Sequence, residues 1–283
     1  MKHHKSILPE PPAGRVWKLA WNDEFDGPAL DESKWSHRLH LLQKRHQTFT
    51  SEGLTFKDSC VHFNLIEKDG HFYSQHLQTG ENYMDRPGKV CCFAADKSPK
   101  FVWPVAKISQ PKFERVYGYY ECRCKFQKNP GWWSAFWLQS PVQGCCLDPA
   151  VAGVEVDIME SFERDGVTQH VIHWGGCGDD HKSAASPKLQ IGAADKDGFH
   201  IFGCLWSPRG YRFFIDGRET WRTSAAVSRR PQFLLLSTEC MGYRMGDAPD
   251  PRLKGSAPDA FVVDFVRVYE SCASAEDDFK TTF

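Results

Sequence analysis

The sequence predicts an all-β protein, a sandwich or barrel of antiparallel strands, and three observations predict it. Short runs rich in Val, Ile, Phe, Tyr and Trp recur along the 283 residues, separated by Gly, Pro, Asp and Asn. Long 3.6-residue apolar periodicity is missing from the spaces between them. The Asp216-Gly217 pair, which tolerates the positive φ angles of a tight turn, directly follows one of the runs.

Taken in order, the runs are 118–125, 134–138, 154–158, 170–174, 211–215, 233–238 and 261–269. Each is five to nine residues long and bounded by turn formers, as a strand should be. Internal repeats and low-complexity linkers are lacking, so a single domain with its core at about 8–273 is expected, followed by a frayed polar tail at 274–283. The stretches 39–56, 82–103 and 177–194 read as long loops, and loops of that length in a compact domain commonly carry function. They are expected to shape the rim of a groove.

Composition narrows the classes. Hydrophobic residues at 41% and charged residues at 25% fit a globular chain large enough to bury a core without staples. A formal net charge of -1 lacks the basic excess that nucleic-acid or membrane-surface binding needs, so neither partner is expected. No apolar run nears the roughly 20 residues of a membrane span. The start, Met1-Lys2-His3-His4-Lys5, leads into Pro-rich sequence and does not read as a secretory signal. Eleven cysteines include the adjacent pairs Cys91-Cys92 and Cys145-Cys146, but none has zinc-site spacing. Buried reduced thiols are the expectation, a disulfide or two the alternative.

The chemistry sits in Val154-Glu155-Val156-Asp157-Ile158-Met159-Glu160. Its front half alternates apolar and acidic, as on a strand with one face in the core and one in a polar cleft. Strict alternation would send Glu160 into the core, where an unpartnered charge costs several kcal/mol. A one-residue bulge at Ile158-Met159 would return Glu160 to the side of Glu155 and Asp157, so a bulge is expected there. Three acids on one face repel one another, and such clusters separate the protonation of an acid from that of a base. With the bulge counted, two Glu side chains leaning over Asp157 could approach the ~5–5.5 Å of a retaining glycosidase. A solvated acidic face, or a calcium site, is the alternative reading of the spacing alone.

The run Glu-Val-Asp-Ile-Met-Glu resembles the Glu-x-Asp-x-x-Glu signature of glycoside hydrolase family 16, in its bulged laminarinase/agarase-like form. Five further blocks resemble that family in order. Trp21-Asn22-Asp23-Glu24-Phe25-Asp26-Gly27, with Leu30 to Trp35 after it, is similar to the opening strand. Tyr117-Gly118-Tyr119-Tyr120-Glu121-Cys122-Arg123 is similar to the Tyr-Gly-x-Phe-Glu-Ala-Arg strand. Gly131-Trp132-Trp133-Ser134-Ala135-Phe136-Trp137 resembles Gly-x-Trp-Pro-Ala-Phe-Trp, with Ser134 where Pro is usual. Phe199-His200, Trp206 and Phe214-Ile215-Asp216-Gly217 match a later block, and Asp264 to Tyr269 the closing strand.

The resemblance implies a β-jelly-roll of two antiparallel sheets with a concave substrate cleft, and a retaining endo-acting enzyme with a polysaccharide as its partner. It assigns Glu155 as nucleophile, Glu160 as acid/base and Asp157 as the group that orients the nucleophile. It places Trp133 and Trp137 in sugar subsites and His173 near the acid/base. Glu239 is expected to meet a sugar hydroxyl, and Trp103 and Trp132 are further groove candidates. Catalysis would need no cofactor. A structural calcium, common in the family, would fall on Glu24, the Gly70 carbonyl and Asp264. A monomer, secreted or periplasmic, is what the family implies. The bulged signature and the Trp block point to a β-1,3-glucan of laminarin type. Leu235-Leu236-Ser237-Thr238-Glu239 points instead to an agar-, porphyran- or carrageenan-type galactan. A transglycosylase and a catalytically inactive glycan-binding jelly roll are the remaining readings.

Overall fold

A computed structural model describes residues 4–42, 44–85, 109–162, 166–176, 178–243 and 248–273. The N-terminal third supplies β1 (Arg15–Asp23), β2 (Ser36–His37), β3 (His40–Leu41), β4 (Lys44–Arg45) and β5 (Leu54–Lys57). It continues with β6 (Cys60–Asn64), β7 (Ile66–Lys68), β8 (His71–Tyr73) and β9 (His76–Gln78). The middle holds β10 (Gly118–Lys125), β11 (Trp132–Gln139), the short helix α1 (Pro149–Ala152), β12 (Glu155–Ser161) and β13 (Val167–Trp174). Then come β14 (Lys182–Ala185), β15 (Leu189–Gln190), β16 (His200–Ser207), β17 (Gly210–Ile215), β18 (Arg218–Thr223), β19 (Phe233–Cys240) and β20 (Ala260–Ala273).

Two eight-stranded antiparallel sheets result. One runs β18-β17-β16-β10-β20-β6-β5 with β1 added on β20; the other runs β14-β13-β12-β11-β19-β9-β2 with β15 added on β13. This is the jelly-roll sandwich that the resemblance implied. Asp216 and Gly217 form the β17–β18 turn with φ of 49° and 79°. Residues 39–56 and 177–194, read as loops, in fact contain β3 to β5 and β14 to β15. Apart from Thr55 on β5 these short strands carry no β-branched residue, and pairing to β13 makes the Lys-Ser-Ala-Ala segment the strand β14.

The core lies between the sheets. Phe136, Leu138, Val156, Ile158, Met159, Ile172, Leu234 and Leu236 face Tyr120, Cys122, Phe202, Cys204, Trp206, Val266 and Val268, all fully or nearly fully buried. Each large side chain so buried contributes about 1.5–3 kcal/mol. The eight described cysteines are all free, five of them buried. Among the described residues no helix is long and apolar enough to cross a membrane.

On β11 the alternation sends Phe136 and Leu138 into this core, so Trp133, Ala135, Trp137 and Gln139 point to the other face of the second sheet. That outer face is partly walled in. Ala135, Trp137, Phe233 and Leu235 turn away from the core yet are only 4, 8, 0 and 0% exposed. Side chains can be that buried on an outer sheet face only where flanking loops rise beside it, which makes the face a cleft.

Candidate active site

The strand β12 runs through the middle of the cleft face. Its register with β11 pairs Glu160 with Ala135, Met159 with Phe136, then Asp157 with Trp137, skipping Ile158. With β13 it pairs Glu155 with His173 and Asp157 with Val171, then Glu160 with Gln169. The extra residue is the bulge at Ile158-Met159, and both of these side chains enter the core at 0% exposure. Directly paired residues in an antiparallel ladder share a face. Glu155, Asp157 and Glu160 therefore stand together on the cleft face with Ala135 and Trp137.

Around the acids each neighbour has a physical reason to be there. Glu155 Oε2 accepts from Nε2 of Gln139 at 3.3 Å and Nε2 of Gln143 at 3.2 Å. Gln139 ends β11, and Gln143 is brought back by a turn in which its own N–H donates to the Ser140 carbonyl. Asn82 holds that turn by donating to the same carbonyl at 2.8 Å. Helix α1 then delivers the chain to β12. Pro149 opens it, and Asp148 caps it by accepting from Ala150 N–H at 2.8 Å.

His173 projects to the cleft face with Nε2 3.5 Å from Asp157 Oδ2, and its Nδ1 lies 3.0 Å from His181 Nε2. The Trp137 indole N–H donates to Ser237 Oγ at 2.9 Å, and the Arg38 guanidinium sits 5.1 Å over the ring. Arg38 is paired at 2.6 Å with Asp85, both 5% exposed. Burial raises the Asp85 pKa, Arg38 pulls it down, and the nearby Glu155 carboxylate pushes it up again. Trp133 is half-buried, 5.3 Å from Phe162 by ring centroids, and it pairs in register with Glu239, which is 3% exposed.

All three acids, Trp133, Trp137, His173 and Glu239 thus fall on one face. Trp103 lies outside the described residues. Trp132 is not a groove residue: two positions from Ser134 on the inward face, it is 0% exposed against Leu65, Phe72, Cys240, Tyr243 and Leu253. Sequence reasoning missed Arg38, Asp85, Gln139, Gln143 and Ser237. Gln139, two residues beyond Trp137, and Ser237, two before Glu239, had a signal in the period of two.

The residues expected to hold a structural calcium do not fit one. Both Glu24 oxygens accept from Arg267, at 2.8 and 2.7 Å, and Asp264 Oδ2 accepts from Arg123 at 2.5 Å. Gly70 sits in the β7–β8 turn, whose His71 and Phe72 lean on Tyr243 beyond the end of β19. An oxygen cage would have to strip two guanidinium groups and bridge separate sheets. Donor atoms of Glu155, Asp157 and His173 do lie within 4.8 Å of one another, as do those of His4, Asp195 and Asp197. Asp195 is already paired with Arg123.

Comparison with known proteins agrees with this architecture. The chain is 24% identical over 285 residues to the glucan endo-1,3-beta-glucosidase A1 of Niallia circulans, covering 93% of this chain and 39% of that protein. It is 23% identical over 282 residues to the keratan-sulfate endo-1,4-beta-galactosidase of Sphingobacterium multivorum, covering 94% and 58% respectively. The chain therefore spans less than two thirds of the length of either relative. Its fold matches the laminarinase catalytic domain of Thermotoga maritima with a TM-score of 0.62 at 21% identity, over 90% of this chain and 98% of that one. Residues 73–237 match the model of the glycosyl hydrolases family 16, and with more than half of its length inside that match the chain belongs to this family.

Proposed function

We propose that the chain is a retaining endo-β-glycanase in which Glu155 is the nucleophile, Glu160 the acid/base and Asp157 the residue that orients Glu155. The observation that carries this reading is the bulge, which turns Glu160 to the cleft face beside the other two acids. Glu155 attacks the anomeric carbon while Glu160 gives its proton to the departing glycosidic oxygen, leaving a covalent glycosyl-enzyme and a shortened chain end. Glu160, now ionised, takes a proton from water, and the water oxygen displaces Glu155 from the sugar. Two displacements restore the starting configuration. Gln139 and Gln143 donate to one oxygen of Glu155 and so leave the other for the attack. Trp133 and Trp137 offer flat apolar surface to the C–H faces of neighbouring sugars.

A β-1,3-glucan of laminarin type is the first substrate, in keeping with the relative named as a glucan endo-1,3-beta-glucosidase. A β-galactan is the second. The relative named as an endo-galactosidase favours it, as do those named as porphyranases, and so does the polar Ser237-Thr238-Glu239 end of β19. Digestion of laminarin, lichenan, agarose, porphyran and carrageenan, run beside Glu155→Gln, decides between them and tests the nucleophile. Wild-type activity in the variant would sink the assignment. NMR of the first products, which should keep the β configuration, tests retention. Adding excess oligosaccharide acceptor separates hydrolysis from transglycosylation.

A further inference from the structure

We propose that His170 is a positioning residue for Glu160: by holding the Ile158 carbonyl it fixes the bulge that aims the acid/base into the cleft. The inference rests on the glycanase reading of Glu160, but its own observations lie on the opposite side of the sheet.

Ile158 is the residue with no register partner on either neighbouring strand. On β13 the partners of Asp157 and Glu160 are Val171 and Gln169, so His170, between them, stands opposite the extra residue. Its side chain points inward and is 0% exposed. Nδ1 lies 2.6 Å from the Ile158 carbonyl oxygen and Nε2 lies 2.9 Å from Thr220 Oγ1 on β18 of the other sheet. A carbonyl can only accept, so Nδ1 carries the proton, and Nε2 is left as an acceptor facing the Thr220 hydroxyl, whose one proton lies between it and the Phe213 carbonyl at 3.2 Å. The ring stacks on Phe213 at 4.8 Å and 24°. Burial lowers the His170 pKa to about 4, which keeps the ring neutral near neutral pH, and the Ile158 carbonyl then selects the Nδ1–H tautomer.

The backbone of His170 is held as well. Its N–H donates to Ser186 Oγ at 3.1 Å, and its carbonyl accepts from Ser186 N–H at 2.9 Å. The donor is thus a fixed post, anchored to the far sheet through Thr220 and, through Ser186, to the segment that follows β14. Such a post matters because the side-chain period of a strand is two. Losing the extra residue flips everything beyond it, and Glu160 would exchange faces with its neighbours.

Asn at this position places its amide N–H near the site of imidazole Nδ1, and Gln places it near Nε2. The test compares His170→Asn, His170→Gln and His170→Leu on whichever glycan the wild type cleaves. His170→Asn should keep kcat within about threefold. His170→Gln and His170→Leu should lose kcat on the order of a hundredfold with KM little changed, the scale of an ångström-level misplacement. Amide exchange at Met159 and Glu160 should quicken in the Gln and Leu variants and not in the Asn variant. Equal kcat in Asn and Gln variants would overturn the proposal. In the unmodified protein, long-range ¹H–¹⁵N NMR should find the proton on Nδ1 of His170; a proton on Nε2 would overturn it without any variant having to fold. If the wild type cleaves none of the glycans, the enzyme reading fails, while the exchange and tautomer results still decide whether His170 holds the bulge.

Discussion

Nε2 of His173 stands 3.5 Å from Oδ2 of Asp157, the central acid of the bulged strand. A carboxylate only accepts, so the proton of a neutral His173 faces Asp157, and Nδ1 accepts from Nε2–H of His181 at 3.0 Å. Asp157 is thereby held from one side by a ring that is itself held by a second ring, stacked at 5.1 Å and 24°. At 3.5 Å this is an electrostatic contact longer than a hydrogen bond, worth about 0.5–1.5 kcal/mol, or roughly 2- to 10-fold. His173→Phe should therefore lower kcat/KM by about two- to tenfold. His181→Ala, which only loosens the first ring, should cost less than about threefold. The double variant should be no worse than His173→Phe alone, because both act through one contact. Additive losses in a steady-state comparison would disprove the relay.

Arg38 and Asp85 form the pair most deeply set in the cleft wall, bonded at 2.6 Å and 5% exposed on each side. Removing one partner leaves the other charge buried, at a cost of about 3–5 kcal/mol. Arg38→Met should destabilise by that amount in urea titrations. Arg38→Met combined with Asp85→Leu should recover most of the loss, because no unpaired charge remains. The cleft should still suffer, since Trp137 loses the guanidinium that covers it. A double variant as unstable as the single would show that packing, and not charge, dominates there.

Trp133 is the more open of the two cleft tryptophans on β11, half-buried where Trp137 is 8% exposed. A sugar face covering about 60 Å² of indole at roughly 25 cal/mol per Å² gives about 1.5 kcal/mol, near tenfold in binding. Trp133→Ala should raise KM for long oligosaccharides about tenfold and leave kcat nearly unchanged. A fall in kcat at constant KM would place the ring at the reacting sugar instead.

The strands were legible because their apolar runs alternate and end at turn formers, and the bulge because a buried Glu160 would be costly. Once Trp137 is put in the cleft, period two also sends Trp133 there and Trp132 away from it, which corrects the latter. Arg38 and Asp85 were not legible. They lie 47 positions apart in segments without periodicity and meet only because β2 and the turn at 83–85 flank the same wall. Gln139 shares the period-two face of Trp137, but Gln143 is silent in sequence, since its target depends on how the chain doubles back after β11. His170 carried no mark distinguishing it from His173, three positions along on the opposite face.

Two buried groups should make opposing contributions to the pH dependence of stability, and their slopes should largely cancel between about pH 4.5 and 6.5. His170 has its pKa lowered to about 4 by burial, so the unfolded chain binds the extra proton between about pH 4 and its ordinary 6.5. Its contribution is complete above that window and is lost as pH falls through it. Glu121, 0% exposed on the first sheet, has its pKa raised to about 7 by burial, with Arg267 pulling the other way. Here the folded chain binds the extra proton between an ordinary 4.5 and about 7, so stability is present below 4.5 and is lost as pH rises through 7. Each slope is about 1.4 kcal/mol per pH unit where only one group titrates, and the signs are opposite. Glu121→Gln should unmask a rise in unfolding free energy from about pH 4 to 6.5, approaching 3 kcal/mol. His170→Asn should unmask the fall from about pH 4.5 to 7. Urea melts at half-unit pH steps measure both, and the same profile in the two variants would mean that neither group titrates as its burial requires.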